Sequence, residues 1–128
     1  MVHFLVVAGG GAIGAGGRHL VNLAALRLLG PGFPWGTFIV NVVGCLVMGL
    51  MIGGLIRWMP LGSSQTARLF LATGLLGGFT TFSAFSLDFA VIWERGAVLT
   101  AIGYAVATVV ASIMAVFVGL WLMRWLTS

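Results

Sequence analysis

Apolar residues run along this chain in four long blocks, at about 3–29, 36–58, 67–92 and 97–123, each reaching the roughly 20 residues that a helix needs to cross a hydrocarbon layer about 30 Å thick. The pattern predicts an all-α membrane protein with four transmembrane helices and a single integral domain over residues 1–128. Gly30-Pro31-Gly32-Phe33-Pro34 breaks the chain between the first two blocks, Pro60 to Gln65 between the second and third, and Trp93-Glu94-Arg95-Gly96 forms a tight third turn. Trp35, Trp58, Trp93, Trp121 and Trp125 all fall near predicted helix ends. There an indole places its ring at the apolar boundary and its N–H among headgroups. No connection is long enough to be a soluble domain.

The third block does more than span lipid. Residues 74–86 place the adjacent glycines Gly77 and Gly78, the hydroxyls of Thr80, Thr81, Ser83 and Ser86, and three phenylalanines in its middle. Adjacent glycines weaken helical continuity, and nearby hydroxyls can satisfy the backbone groups that a break leaves open. A break at membrane depth survives only where protein buries it or a polar path runs past it. A broken third helix is therefore expected, with this stretch as the functional centre.

Composition strengthens the membrane reading. The chain is 61% hydrophobic and 6% charged, with a mean hydropathy of +1.19, far from an ordinary soluble domain. Its net charge of +4 comes without a lysine and from six scattered arginines, which argues against nucleic acid as a partner. With four spans, Arg57, Arg68 and Arg124 share one side and Arg27 and Arg95 the other, where Glu94 offsets them. So small a bias fixes orientation poorly. Dual topology, with pairing as an antiparallel dimer, is the expectation. The amino terminus lacks the basic leader of a signal peptide, and its apolar run continues to about residue 29, so it is expected to stay in the mature protein.

Several motifs yield to simpler readings. Gly9 to Gly14 matches G-x-G-x-x-G, yet the first acid in the chain is Asp88, so the carboxylate that a dinucleotide site needs about 20 residues further on is missing. Nucleotide binding is not expected. Cys45 stands alone, and His3 and His19 are isolated, so neither a disulfide nor a side-chain metal cluster follows. Gly10/Gly14, Gly49/Gly53 and Gly74/Gly78 have the four-residue spacing of close helix packing and fit contacts within or between chains equally. Arg18 sits inside the first span, at a cost of about 2.5–3.5 kcal/mol on the insertion scale. It either snorkels or supports a neighbouring helix end, or it makes an electropositive vestibule that attracts an anion.

Polar residues also align. Thr37 and Asn41 share a face of the second span, and Thr100, Tyr104, Thr108 and Ser112 recur every fourth position along the fourth. Four-residue steps drift only about 40° each, so these form a continuous stripe. Hydroxyl and amide donors without embedded carboxylates favour a small anion over a cation. Phe82 and Phe85, on one helical face beside the break, present ring edges whose quadrupole is positive.

These residues resemble the Fluc (CrcB) family of fluoride channels. The resemblance covers the whole chain and rests on Gly74 to Ser86, which looks like GxxGGxTTFSxFS, on Gly14 to Arg18, on Trp35-Gly36-Thr37 leading to Asn41-x-x-Gly44, and on Gly103-Tyr104. It implies an antiparallel dual-topology homodimer in the bacterial plasma (inner) membrane. That dimer would have two fluoride pathways and a structural Na+ at the subunit interface, held by the backbone carbonyls of Gly77 and Thr80 from both subunits. By the same carry-over Asn41, Phe82, Phe85, Tyr104 and Ser112 follow the fluoride path, with Thr108, Thr37 and Ser83 contributing and Arg18 near the vestibule. Thr108 stands where serine is expected in some relatives, and Asp88 where glutamate is frequent. The implied role is protective: fluoride trapped in the cytoplasm leaves passively down its gradient.

Two other readings remain open at the level of sequence. A dual-topology, proton-coupled multidrug exporter would need a membrane-buried carboxylate, and none precedes Asp88. A non-conducting membrane assembly subunit would use the polar stripe only to join helices. An enzyme is not expected, because no nucleophile and base pair can be assembled at a plausible spacing.

Overall fold

The computed structural model describes residues 1–58 and 61–128. Its elements are α1 (Val2–Leu29), α2 (Trp35–Trp58), α3 (Leu61–Arg68), a π-helical segment (Leu69–Leu76), α4 (Gly77–Phe79), α5 (Phe82–Glu94) and α6 (Val98–Thr127). Four stretches are long and apolar enough to cross a membrane: Val2–Leu29, Trp35–Gly54, Gln65–Glu94 and Val98–Thr127. They match the four apolar blocks, and the chain is a multi-pass membrane protein.

The connections follow local chemistry. Gly30 takes φ 79 at the end of α1 and Gly96 takes φ 84 in the turn between α5 and α6, a region where an L side chain would be strained. The second break differs from its expected place. Pro60 lies outside the described residues, but Leu61–Arg68 is already helical, because Leu61, Gln65, Ala67 and Arg68 are good helix formers. The fourth span likewise runs past residue 123 to Thr127.

The main packing pairs are α2 with α6 and α1 with the π-helical segment. Small residues set both distances. A Cβ on Gly10 would stand 2.6 Å from the Phe70 carbonyl oxygen, and one on Gly78 would stand 2.5 Å from that of Gly11. The pairs Gly10/Gly14 and Gly74/Gly78 thus face each other within one chain. Between α2 and α6, a Cβ on Gly119 would meet the Leu46 oxygen at 2.5 Å and Gly49 is in backbone contact with Val116. The glycine pairs left open by spacing alone are therefore intrachain contacts.

Only a thin core results. Val40, Ala101 and Tyr104 are fully buried, while Leu99, Phe117, Trp121 and Trp125 on α6 are exposed. Such an outward apolar face suits lipid, since bilayer hydrocarbon is as apolar as the side chains that meet it.

Candidate functional site

The break in the third span falls at Thr80-Thr81, where the backbone is extended (φ −79, ψ 158 and φ −152, ψ 121). It does not fall at the glycines. Gly77 is helical, with φ −63 and ψ −36, and Gly77–Phe79 forms α4. The glycines instead let this segment approach α1, whereas the β-branched threonines take the extended geometry that such residues favour. Before the break the Gly77 amide reaches back to the Ala72 carbonyl, a wide π-type turn of the kind found near functional sites.

Side chains hold the break. Asn41 accepts from the Thr81 amide at 2.8 Å and donates to the Thr81 carbonyl at 3.0 Å. The Thr81 hydroxyl caps α5 by accepting from the Ala84 amide at 3.1 Å, and it lies 3.3 Å from the Ser83 hydroxyl. Thr80 donates its own amide and its hydroxyl to the Leu76 carbonyl, at 2.9 and 2.8 Å. Arg18 reaches the Thr80 carbonyl with Nη1 at 3.5 Å, so it supports the end of a neighbouring helical segment. Every backbone group named here belongs to residues 76–84, which is how an irregular stretch persists at membrane depth.

Beside the break, Asn41, Cys45, Thr80, Thr81, Phe82, Phe85, Thr108 and Ser112 line a cleft of about 260 Å³. The side-chain oxygens of Thr108 and Ser112 are buried there without a hydrogen-bond partner among the described residues. Neither bonds back to the preceding helical turn, the usual outlet for such hydroxyls in a helix. Phe85 is 8% exposed and Phe82 77% exposed, with ring centroids 5.5 Å apart. One phenylalanine thus closes the inner wall while the other leaves the cleft open on the chain's surface.

Tyr104 lies behind Phe85, at a centroid distance of 5.2 Å, and donates its hydroxyl to Asp88 at 3.2 Å. Asp88, Thr37, Asn22 and Arg95 border a second cavity of about 460 Å³ next to the loop Gly30 to Pro34. The stripe on α6 is therefore shared between two spaces. Thr108 and Ser112 face the cleft, Tyr104 lies at the divide, and Thr100 is exposed. Thr37 is buried beside the second cavity, not in the cleft with Asn41.

Two contributors had no role assigned from sequence: Cys45 lines the cleft, and Asp88 receives the Tyr104 hydroxyl. Thr81, one of the hydroxyls expected to satisfy the break, does so at the Ala84 amide and is also the residue that Asn41 grips. The side-chain oxygen donors are hydroxyls and one amide, and among the described residues no three His, Cys, Asp or Glu side chains gather.

Comparison with known proteins adds a family. Residues 5–120 match the family model described as CrcB-like protein, Camphor Resistance (CrcB). A protein of Mesorhizobium japonicum named fluoride-specific ion channel FluC is 60% identical over 124 residues, which cover 97% of this chain and 98% of that one. Proteins of the same name from Chelativorans sp. and Hyphomonas neptunium are 58% and 55% identical, over 97% and 94% of this chain and 98% and 94% of their own lengths.

Proposed function

The chain belongs to the CrcB family, and from that premise we propose that it is a fluoride-selective channel through which the anion leaves the cytoplasm passively. The supporting observation is the cleft itself, where the unpartnered hydroxyls of Thr108 and Ser112 meet Asn41 and the Phe82–Phe85 edge. The family is one of channels, and the protein is not an enzyme.

Fluoride holds its water tightly, so a path for it must replace lost hydration with close donors and still release the ion. Hydroxyl and amide hydrogens do this without a full counter-charge. Aromatic edges add a weak positive rim. Because Phe82 is left uncovered and the cleft is open, a single chain gives the path only one wall. A second copy in the opposite orientation, the antiparallel dual-topology homodimer, would supply the other.

A central sodium ion belongs to the same reading, with the Gly77 and Thr80 carbonyls as its holders. The residues fit. In a continuous helix these oxygens would accept from the amides of Thr81 and Ala84, but those amides go to Asn41 and to the Thr81 hydroxyl. Hard oxygen donors on unwound backbone suit a hard cation. When bound, the ion supplies a fixed positive charge that joins the two subunits and is not transported. Arg18 shares the Thr80 carbonyl, and a carbonyl oxygen has a second lone pair to offer.

The test is efflux from liposomes. Purified protein should release fluoride and not chloride, without a proton gradient. Well-folded protein that passes no fluoride would overturn the channel reading, and flux that requires a proton gradient would favour a coupled exporter.

A further inference from the structure

We infer that Asn41 is a positioning residue for the cation site: by gripping Thr81 it keeps the Thr81 amide off the Gly77 carbonyl and leaves that oxygen free to face a hard monovalent cation. The inference rests on the channel reading above and on its central sodium ion.

The hydrogen bonds carry it. The last regular closure before the break runs from the Thr80 amide to the Leu76 carbonyl, at 2.9 Å. One residue later the pattern would bring the Thr81 amide onto Gly77, but Asn41 accepts that amide at 2.8 Å. The same planar carboxamide donates to the Thr81 carbonyl at 3.0 Å. Two bonds from one rigid group fix the rotation of Thr81, which stays extended at φ −152 and ψ 121.

Asn41 can do this because α2 is itself firmly placed. Its neighbour Val40 is fully buried, and Gly44, one turn on, lies against the Thr80 methyl group. Remove the carboxamide, and the Thr81 amide is left in a medium where an unsatisfied group costs several kcal/mol. In a continued helix its acceptor is the Gly77 carbonyl, one turn back. Closing that turn takes an oxygen away from the cation. The Thr80 carbonyl is guarded separately, since the Ala84 amide is held by the Thr81 hydroxyl at 3.1 Å. Each of the two oxygens is thus freed by a different side chain, and only one of them depends on Asn41.

The experiment measures sodium binding through stability, apart from flux. Detergent-purified protein is melted over a series of NaCl concentrations, with N-methylglucamine chloride holding ionic strength constant, because a ligand at free concentration L bound only by the folded state stabilises it by RT ln(1 + L/Kd). Wild type should show a melting temperature that is flat at low sodium and climbs logarithmically above the half-saturating concentration. Asn41→Leu should raise the half-saturating sodium concentration about 10- to 100-fold, the usual effect of losing an outer-shell partner. Asn41→Asp keeps an oxygen that accepts from the Thr81 amide and loses only the bond to the Thr81 carbonyl, so its half-saturating sodium concentration should stay well below that of Asn41→Leu.

Ser112→Ala, which removes a hydroxyl from the cleft and leaves the break intact, should keep the wild-type sodium response. Half-saturation within about two-fold of wild type for Asn41→Leu overturns the inference, as does an Asn41→Asp response weakened as far as that of Asn41→Leu, since such ligand-orienting partners act at the 10-fold level or above. Should Asn41→Leu not fold, Asn41→Ala, which lacks the same acceptor, carries the same expectation and the same overturning result. A wild type indifferent to sodium overturns the cation site itself and this inference with it, whereas a responsive wild type with an unaltered Asn41→Leu overturns the inference only.

Discussion

Tyr104 donates its hydroxyl to Asp88 across 3.2 Å, and so ties α6 to α5 at the divide between the cleft and the larger cavity. Tyr104 is 1% exposed, so this hydroxyl has little water to turn to. Tyr104→Phe should lower stability by about 1.5 kcal/mol, the lower end for a hydrogen bond to a charged group because Asp88 is only half-buried. A denaturation series on the purified variant reads that loss, and a variant as stable as wild type would show the bond contributes nothing.

Thr108→Val and Ser112→Ala should separate transport from stability. Neither hydroxyl has a hydrogen-bond partner among the described residues, so removing them breaks no hydrogen bond described there and relieves a buried polar group of its desolvation cost. Melting temperatures should hold or rise, while fluoride efflux falls by about ten-fold or more if each donor is worth roughly 1.4 kcal/mol to the passing ion. Efflux at the wild-type rate in both variants would remove these residues from the path.

The Thr81 hydroxyl should matter as a helix cap. Thr81→Ala loses the acceptor for the Ala84 amide and should cost about 1 kcal/mol, while Thr81→Ser keeps the oxygen and should cost much less. Equal melting temperatures for the two variants would contradict the capping role.

Gly14→Ala and Gly16→Ala form a matched pair. At Gly14 an added methyl would run into the Leu75 carbonyl and stand 2.8 Å from the Phe79 amide nitrogen, whereas at Gly16 nothing lies within 4 Å. Gly14→Ala should force α1 off the third span and sharply reduce folded yield, with backbone rather than a flexible side chain in its way. Gly16→Ala should be neutral or stabilising by up to about 1 kcal/mol, the helical advantage of alanine. Size-exclusion profiles and melting curves check both.

Much of the architecture was legible along the chain. Four apolar blocks, with tryptophans near their ends and Gly or Pro between them, set the number of helices and nearly all their limits, because length and hydropathy alone decide whether a helix can span. The misplaced boundary at Leu61 came from reading the polar run Gly62 to Gln65 as a turn, when its neighbours favour helix. The third-span break was legible in kind but not in position. Adjacent glycines are consistent both with a break and with close packing, and only the approach of α1 to Gly74 and Gly78 reveals that they pack.

The site divides in the same way. Helical periodicity by itself put Thr37 and Asn41 on one face and Tyr104, Thr108 and Ser112 on another, and these are local relationships that 3.6 residues per turn determines. Which of them meet was decided by tertiary structure. Asn41 grips Thr81 from 40 positions away, Tyr104 turns its hydroxyl to Asp88, and Thr37 faces a different cavity from Asn41. Local spacing fixes a side chain's direction about its own helix axis. Hydrogen-bond partners depend on how two helices are rotated and shifted against each other, and that is set by the backbone contacts their glycines permit.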